Sequence, residues 1–408
     1  MKILLLGYGV VGSGVFEQIQ KNKLRFKEEY EQDVEVVGIL VNTLEKYREF
    51  PHSSLFSNNF DTLFSNDFDV LIETIGGIEP AYTYVSAALE LGKSVITSNK
   101  DLIAEKGNLL QEIALKTGAQ LSFEASVGGG IPVLKPLREC LASDQIIEIQ
   151  GIINGTTNFI LTKMIQEGLS YADALASAQK LGFAEANPTS DVEGLDAVRK
   201  ISILTKLGLK ISLDWKTLPV EGITNVTFEE VDYFKKNNYV VKLIGMTKRF
   251  PEGVYASVRP VVLSNQSAFA SVNNEFNAIK VVGESVGELF FSGKGAGKNP
   301  TATAVLGDLV DLLQNKKNLI HTQYKTVKTI ALYPEKSKWL LCLTPVELKN
   351  FQSALTSLND EKSLSAINYE TNGSQPTFIE IEDMTELEAI DYKNVHGIPN
   401  AKYYLILE

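Results

Sequence analysis

The sequence predicts an α/β protein in three parts: an N-terminal doubly wound sheet, an α+β domain and a small C-terminal ferredoxin-like module. Up to about Glu124 the chain alternates short apolar strand patterns with helical patterns, which is typical of a parallel sheet covered by helices. From about Leu134 longer alternating strands are mixed with helices. From about Asn315 the order strand, helix, strand, strand, helix, strand is that of a ferredoxin-like module.

The first strand and the turn after it carry a dinucleotide-binding motif. Lys2 to Leu6 is a continuous apolar run, as expected for a strand buried on both faces of a parallel sheet. It leads into GYGVVG from Gly7, which opens a helix through about Gln20. The first glycine allows the tight turn, the second lets backbone approach a pyrophosphate, and the third lets the helix pack on the strand. The free N–H groups of the helix N-terminus attract the phosphates, so this context predicts a Rossmann-type site.

The end of the second strand bears on which nucleotide is bound. The strand is predicted over Val34 to Val41, and an NAD site would place an acid at its end to bind the ribose hydroxyls. Here Asn42 and Thr43 follow, with Lys46 and Arg48 just beyond. The lack of an acid and the two cations favour NADP. The two cations are equally well explained as solvated helix charges, so both NADP(H) and NAD(H) stay open.

The remaining elements of this part complete the sheet. Strands are predicted at Val70 to Thr74, Val95 to Thr97 and Gln120 to Phe123, and helices from Pro80 to Gly92 and from Leu102 to Thr117. In such folds the ligand binds beyond the C-terminal ends of the strands. Thr74, Gly76 and Lys100 fall there, so we expect them in the site.

Three consecutive glycines leave this sheet, within Glu124 to Pro132 (EASVGGGIP). Such glycines permit unusual backbone angles and can turn several carbonyl oxygens toward one point. With the Glu124 carboxylate nearby, the segment is a candidate cage for a hard cation. A flexible hinge between domains explains the same composition.

An acidic segment, Gly182 to Leu207, is the main chemical feature of the second domain. Asp191 is predicted to be the N-cap of a helix over Val192 to Leu207. On that helix Asp196 and Lys200 are four residues apart, so they share a face whose continuation is apolar. A half-buried carboxylate and amine have the environment that shifts pKa values and supports proton transfer. An ordinary helix salt bridge is the alternative explanation of this spacing.

The elements around this segment predict an α+β domain followed by the small module. Strands are predicted at Ile146 to Ile153, Val240 to Lys248, Gly253 to Leu263, Ala278 to Val282 and Glu288 to Ser292, and helices from near Phe159 and at Ser170 to Leu181. A Gly-rich turn, Gly293 to Pro300, precedes a helix at Thr301 to Leu313 and is a second candidate for contacting phosphate or substrate. The module has predicted strands at Trp339 to Thr344, Ser365 to Glu370, Thr377 to Glu382 and Tyr403 to Leu407, and helices at Val346 to Leu358 and Thr385 to Tyr392. We expect it to serve ligand sensing or assembly.

Composition narrows the class of protein. The 408 residues predict two or three domains, and 44% hydrophobic with 22% charged residues is typical of a soluble globular protein. A formal net charge of −11 argues against nucleic-acid or anionic-membrane partners. The chain starts directly with a strand pattern and has no membrane-spanning apolar run, and Cys140 and Cys342 are far apart, so we expect a cytoplasmic protein. His52, His321 and His396 lack metal-binding spacing, which argues against zinc chemistry.

Five stretches, taken in order, resemble the homoserine dehydrogenases. They are GYGVVGSGV from Gly7, ETIGGIEPA from Glu73, NGTTNFIL from Asn154, GFAEANPTSDVEGLDAVRK from Gly182 and GKGAGKNPTATAV from Gly293. The fourth is long and highly specific. The resemblance implies reversible NAD(P)-linked reduction of L-aspartate 4-semialdehyde to L-homoserine, in threonine and methionine synthesis.

The resemblance also implies roles for individual residues. Lys200 matches the catalytic acid/base and Asp196 its aspartate partner. Glu185 and Asp191, with Asp196, match residues that hold the substrate, and Lys100 matches one between nicotinamide and substrate. The implied nucleotide contacts are Gly7, Tyr8, Gly9, Val10, Val11, Gly12, Asn42, Thr74, Gly76 and Lys100. Glu124, with the carbonyl oxygens of Val127, Gly129 and Ile131, resembles the site for a monovalent cation, Na⁺ or K⁺.

Domain roles and assembly follow from the same resemblance. Residues 1–127 with about 298–318 would form the dinucleotide-binding domain, 128–297 the catalytic and dimerisation domain, and 319–408 an ACT-like module. A homodimer or homotetramer, joined through the sheet of the second domain, is expected. Two departures from the family pattern stand out. Asn42 replaces an arginine that many members use for the 2′-phosphate, and the module lacks the Pro-Gly turn of ACT ligand sites for effectors such as threonine.

The mechanism can be stated as a hypothesis. A hydride must reach an aldehyde carbon while its oxygen gains a proton, and the Lys200 ammonium can donate that proton. Glu185 and Asp191 suit the α-ammonium of the substrate, and Lys100 suits a carboxylate or a developing oxyanion. Two alternatives remain open: another semialdehyde or amino-acid dehydrogenase of the same two-domain plan, and a non-catalytic NAD(P)-binding regulator.

Overall fold

The structure is a computed structural model that describes residues 1–316, 324–358 and 376–407. Contacts within the chain divide it into two compact units. The first unit is Met1–Ile149, Arg199–Trp215 and Ala278–Thr326, and the second is Gln150–Val198, Lys216–Asn277 and Val327–Glu408. The predicted strand Ser365 to Glu370 and the predicted domain boundary near residue 318 lie outside the described residues. The three-domain division therefore stays a prediction.

The described residues form strands and helices with the following bounds. The strands are β1 (Lys2–Leu6), β2 (Glu35–Leu40), β3 (Phe56–Ser57), β4 (Val70–Glu73), β5 (Ser94–Thr97), β6 (Leu121–Ser122), β7 (Ile146–Ile152), β8 (Tyr239–Phe250), β9 (Gly253–Ser264), β10 (Phe276–Gly283), β11 (Gly287–Lys294), β12 (Thr329–Ile330), β13 (Ser337–Leu343), β14 (Thr377–Met384) and β15 (Lys402–Leu407). The helices are α1 (Val10–Tyr30), α2 (Phe60–Phe64), α3 (Ala81–Glu90), α4 (Lys100–Thr117), α5 (Leu134–Arg138), α6 (Gly155–Glu167), α7 (Tyr171–Lys180), α8 (Thr189–Val192), α9 (Leu195–Gly208), α10 (Phe228–Lys236), α11 (Lys298–Leu313), α12 (Pro345–Leu358) and α13 (Glu386–Val395). Within the described ranges, no helix is both long and apolar enough to cross a membrane.

The first unit contains a parallel sheet in the order β3-β2-β1-β4-β5-β6. The central strands β1 and β4 are buried along almost their whole length, as their apolar runs predict. The chain leaves β1 toward β2 on one side and reaches β4 on the other, so the strand order reverses between β1 and β4. This topological switch point is where doubly wound sheets bind their ligands. The predicted doubly wound α/β fold is confirmed.

The helix after the glycine turn is longer than predicted. We expect it to end near Gln20, whereas α1 continues to Tyr30 and ends at Glu31 in the left-handed conformation (φ 55°). Residues 21–30 include neither glycine nor proline, and Phe26 among them is buried, so nothing in this part ends the helix.

Helix α11 returns the chain to this sheet. An added Cβ on Gly14 of α1 would lie 2.8 Å from the carbonyl oxygen of Lys298, so glycine allows the two helices to approach closely. Ala302, Val305 and Leu309 of α11 join the apolar core under β1. The segment that follows the second Gly-rich turn is therefore part of the first unit.

The second unit is organised around a long antiparallel hairpin of β8 and β9. Tyr239 lies opposite Ser264 at its open end, and Phe250 lies opposite Gly253 next to the turn. Strand β15 adds to β9 in parallel, with Ile406 opposite Val262. Strand β13 pairs antiparallel with both β15 and β14. The strands of the predicted small module thus continue the sheet of the hairpin. Helix α10, which the sequence analysis did not predict, begins at a capping box formed by Thr227 and Glu230.

The acidic segment does not form the continuous helix that we predicted. Helix α8 ends at Val192, Gly194 has a left-handed conformation (φ +80°), and α9 starts at Leu195. The carbonyl oxygen of Val192 accepts the backbone N–H of Ile223 (2.8 Å) from a packed loop. The prediction that Asp191 is an N-cap is therefore wrong: Asp191 lies inside α8, and Pro188 occupies the N-cap position.

Candidate active site

A cavity of about 460 Å³ opens at the switch point of the parallel sheet. Its lining residues, all from the first unit, are Gly7, Tyr8, Gly9, Leu40, Val41, Asn42, Thr43, Lys46, Tyr47, Asn58, Thr74, Ile75, Gly76, Pro80 and Tyr84. Six of the predicted nucleotide contacts are among them: Gly7, Tyr8, Gly9, Asn42, Thr74 and Gly76. The other four are not in the lining: Val10, Val11 and Gly12 are the first residues of α1, and Lys100 is the first residue of α4.

The three glycines of the turn have different surroundings. Gly7 has φ +95°, which strongly favours glycine. A Cβ on Gly12 would lie 2.1 Å from the carbonyl oxygen of Gly7 and 2.7 Å from the hydroxyl oxygen of Thr74. A Cβ on Gly9 would meet no atom within 4 Å. Gly12 is therefore required by packing, whereas Gly9 leaves open space in the cavity wall where a pyrophosphate can approach.

The two cations after the second strand differ in position. Lys46 lines the cavity, whereas Arg48 is absent from its lining, is exposed, and pairs with Glu45 (3.6 Å). The loop that carries Lys46 is held by Tyr47, whose ring stacks on Phe56 with centroids 4.6 Å apart. Of this pair, Lys46 is thus placed to meet a nucleotide.

A buried carboxylate that the sequence analysis did not single out organises the neighbouring loop. Glu73, at the end of β4, has no exposed surface, and burial raises its pKa. Its carboxylate accepts the N–H groups of Ile75 (2.8 Å) and Gly76 (3.0 Å) and the hydroxyl of Thr97 (2.5 Å). Asn99 donates to the carbonyl oxygen of Gly77 (2.6 Å). These bonds fix the cavity wall, and the only sequence signal was an acid at the end of an apolar strand.

Two lysines that the sequence analysis assigned to the site occupy packed elements of the first unit. Lys100 is the first residue of α4, whose N-cap Asn99 accepts the N–H of Leu102 (3.0 Å). The next residue, Asp101, pairs with Arg199 of α9 (3.3 Å). Arg199 precedes Lys200, so the ion pair ties the start of α4 to the part of α9 that carries Lys200. Both lysines are half-buried.

In the second unit one amide joins two of the predicted acids. The side-chain nitrogen of Asn154 donates to Asp191 (2.7 Å) and to Asp196 (2.8 Å). Asp196 is 4% exposed, and Asp191 is half-buried. Asn154 was part of a quoted motif but not of the predicted site, because no local signal shows that its partners lie 37 and 42 residues away.

The remaining substrate residue of the prediction, Glu185, lies on an exposed loop beside these acids in the chain. The loop is tied to its own unit at two points. Thr156 donates its hydroxyl to the carbonyl oxygen of Phe183 (2.7 Å), and Gln179 donates its amide to that of Glu185 (3.1 Å). The Glu185 backbone is thereby held while its side chain remains accessible.

In the segment predicted to hold a cation, the Glu124 carboxylate is hydrogen-bonded to backbone N–H groups. Glu124 is buried, which raises its pKa, and it accepts the N–H groups of Val133, Leu134 and Lys135 at 2.7–2.9 Å. A carboxylate offers about four acceptor positions, so roughly one is left. No group of three or more His, Cys, Asp or Glu side chains suited to a metal ion occurs in the described part of the chain.

The carbonyl oxygens of the predicted cation site lie on a strongly turned backbone. Val127 and Ile131 are buried, and Gly128 and Gly129 between them both have positive φ (+78° and +56°). A Cβ on Gly129 would lie 2.3 Å from the carbonyl oxygen of Gly295, so this turn packs closely on the second Gly-rich turn. The predicted donor set therefore consists of backbone carbonyl oxygens and at most one free position of the Glu124 carboxylate.

A cavity lined by a glycine turn at the switch point of a doubly wound sheet defines the class of a Rossmann-type dinucleotide-binding protein. Family models narrow this class. The model described as homoserine dehydrogenase matches residues 132–310, and the model described as the NAD binding domain of homoserine dehydrogenase matches residues 7–124.

Individual relatives agree with these models. The homoserine dehydrogenase of Bacillus subtilis is 46% identical over 319 residues, covering 78% of this chain and 74% of its own, and that of Corynebacterium glutamicum is 42% identical over 320 residues, covering 77% and 72%. The crystal structure of a homoserine dehydrogenase from Thiobacillus denitrificans has a TM-score of 0.88 at 30% identity, covering all of this chain and 98% of its own. A hyperthermophilic archaeal homoserine dehydrogenase in complex with NADPH has a TM-score of 0.66 at 27% identity, covering 78% and 99%.

The chain belongs to the homoserine dehydrogenase family, whose members are NAD(P)-dependent oxidoreductases. The predicted family and enzyme class are thereby confirmed, as is a nicotinamide cofactor. The alternative of a non-catalytic regulator is not favoured.

Proposed function

We propose that this protein catalyses the reversible NAD(P)-linked reduction of L-aspartate 4-semialdehyde to L-homoserine, in threonine and methionine synthesis. The observation that carries the proposal is the pair of acids, Asp191 and Asp196, hydrogen-bonded to one amide and followed on α9 by Lys200. Both reactants are amino acids with an α-ammonium group, for which paired carboxylates are the natural partner. Family membership supplies the reaction class.

A nicotinamide nucleotide held by the residues of the switch-point cavity would supply or accept the hydride, and residues of this chain would stabilise the charges and transfer the proton. The Lys200 ammonium donates a proton to the aldehyde oxygen and, in reverse, its neutral amine accepts the hydroxyl proton. Asp196, four residues earlier on the same helix, orients that ammonium and offsets its charge. Exclusion of water strengthens this interaction because Asp196 is buried.

The other polar residues bind the amino-acid end of the substrate. Glu185 and Asp191 accept hydrogen bonds from the α-ammonium. Lys100 faces the carboxylate or the developing oxyanion, and its place at the N-terminus of α4 adds the favourable dipole of the helix. The exposed loop position of Glu185 suits a residue that meets the substrate on entry.

We propose NADP(H) as the preferred nucleotide, with NAD(H) as a weaker alternative. The support is Lys46 in the cavity wall and the absence of an acid after β2 that would repel a 2′-phosphate. Asn42, also in the wall, can donate a hydrogen bond to the same group. The NADPH complex of the archaeal relative is consistent with this choice.

We further propose a monovalent cation, Na⁺ or K⁺, at Glu124 and the carbonyl oxygens of Val127, Gly129 and Ile131, where it would order the two Gly-rich turns. Assembly as a homodimer or homotetramer in the cytoplasm belongs to the same proposal.

The test is an assay of purified protein with L-homoserine and each oxidised nucleotide, followed by the absorbance of the reduced nicotinamide. Other amino-acid alcohols serve as competitors for the choice of substrate. Lys200→Ala is expected to lower turnover by orders of magnitude while nucleotide affinity stays nearly unchanged, and Lys180→Ala on the exposed end of α7 is the control. Tight nucleotide binding without any homoserine-dependent absorbance change would overturn the proposal, and normal turnover by Lys200→Ala would remove that lysine from the mechanism.

A further inference from the structure

Asn154, at the head of α6, uses all of its side-chain hydrogen-bonding capacity. Its carbonyl oxygen accepts the backbone N–H of Thr157 (2.9 Å) and the Thr157 hydroxyl (3.0 Å), which makes it the N-cap of α6. Its amide nitrogen donates one hydrogen to Asp191 and the other to Asp196. An asparagine side chain has two acceptor and two donor positions, and all four are occupied here. The residue is only 5% exposed.

The two donor bonds impose a geometry on the acids. Carboxylate oxygens bound to one nitrogen at 2.7 and 2.8 Å can be no farther apart than the sum of those distances. Two ionised carboxylates at such a separation repel each other, and the partial positive charge on the shared amide hydrogens offsets that repulsion. The acceptor side anchors the amide to α6, so the positions of both acids are set relative to a buried helix.

We propose that Asn154 is a positioning residue for substrate binding, whose amide holds Asp191 and Asp196 together so that the two acids act jointly on the ammonium group of an amino-acid substrate. The inference rests on the proposed function and adds a residue to it. Asn154 itself acts through the acids and neither gives nor takes the transferred hydride or proton.

A plain helix cap is the competing explanation, and the chemistry of the side chain separates the two. Asparagine and aspartate are about equally good N-caps, because each offers a side-chain oxygen to the N3 backbone N–H. Asn154→Asp therefore keeps the cap and the shape of the side chain. It removes both donors and places a third negative charge between two carboxylates. A residue that only capped α6 would tolerate this change.

The experiment measures homoserine oxidation and nucleotide affinity for the unaltered protein and Asn154→Asp. We expect kcat/KM for homoserine to fall about 100-fold or more, since hydrogen bonds to charged groups are each worth roughly tenfold or more. Most of the loss should fall on KM. The Kd for the reduced nucleotide should stay within about twofold, because Asn154 is not among the residues that line the nucleotide cavity.

Two further variants make the outcome decisive. Asn154→Ser keeps a capping oxygen and adds no charge, so it should fold, but it loses both amide donor bonds to the acids and should raise KM by about 100-fold. Asn59→Asp changes the equivalent N-cap of α2, which accepts the N–H of Thr62 (3.0 Å) on the exposed surface, and should leave all constants unchanged. Unaltered KM for both Asn154 variants would overturn the positioning role. Absence of homoserine turnover in the unaltered protein would instead overturn the proposed function, and this role with it.

Discussion

The glycine turn can be tested by two substitutions, because replacing Gly12 should lower stability whereas replacing Gly9 should weaken nucleotide binding. In Gly12→Ala the new methyl group would lie 2.1 Å from the carbonyl oxygen of Gly7, whereas comfortable contacts between heavy atoms are about 3.5–4.0 Å. The backbone of the turn between β1 and α1 would have to move by more than about 1 Å, and overpacking of this kind costs about 3 kcal/mol. That loss corresponds to a fall in Tm of roughly 6 °C or more for a domain of this size.

Gly9→Ala is the matched variant. Gly9 has φ −78°, which other residues adopt, and its Cβ would meet nothing within 4 Å. The Tm without nucleotide should therefore stay the same or rise slightly, as expected for glycine to alanine at a compatible position. The methyl group projects from the cavity wall where the pyrophosphate must approach, so the Kd for NADPH should rise at least about tenfold, or about 1.4 kcal/mol.

Thermal melting without nucleotide and a fluorescence titration with NADPH measure both effects. A Gly12→Ala protein that melts within about 2 °C of the unaltered protein would refute the packing argument. Unchanged NADPH affinity in Gly9→Ala would show that the pyrophosphate does not approach this turn.

Three further predictions concern charges of the first unit. Lys46→Glu should lower kcat/KM for NADPH relative to NADH by about 10–100-fold, the value of a charge-assisted bond, whereas Arg48→Glu should leave the ratio unchanged in steady-state assays. Asp101→Asn breaks the ion pair with Arg199 and should reduce kcat about tenfold with little change in nucleotide Kd, because it loosens the contact between α4 and α9. Burial raises the pKa of Asp308 to about 7, so the folded protein binds a proton that the unfolded chain has lost, and the stability from this group falls as pH rises toward 7. In thermal melts the stability of Asp308→Asn relative to the unaltered protein should therefore rise between about pH 5 and about pH 7, and a constant difference would contradict this.

Much of the first unit could be predicted because its signals are local. The apolar run of β1, the glycines of the turn and the breaks at Gly92 and Gly118 mark elements whose order determines a doubly wound sheet. Elements whose ends are not marked by such residues were predicted less well. Helix α1 runs past Gln20 because nothing stops it, and the two-residue strand β3 exists only because β2 offers it a partner.

The candidate site shows the same difference between residues marked by local patterns and residues that depend on the tertiary fold. Thr74 and Gly76 of the cavity wall were predicted from the rule that ligands bind beyond strand ends, and Gly7, Tyr8 and Gly9 from the glycine motif. Glu73 and Asn154 were not, since each acts through hydrogen bonds to residues that local patterns do not connect: Glu73 to Thr97, and Asn154 to Asp191 and Asp196. Long-range polar contacts of this kind depend on the tertiary fold, and their amino-acid types alone are compatible with many local roles.

The wrong prediction of a continuous helix over Val192 to Leu207 concerns the segment that carries the proposed substrate acids. On an unbroken α-helix, residues five apart point about 140° away from each other, because each residue turns the chain by about 100°. Asp191 and Asp196 could not then share the amide of Asn154. The break at Gly194, held open by the packed loop that binds the Val192 carbonyl, removes that constraint and lets both carboxylates reach one nitrogen. Helix periodicity therefore fails at this position because the shared amide, on which the proposed substrate site depends, requires the break.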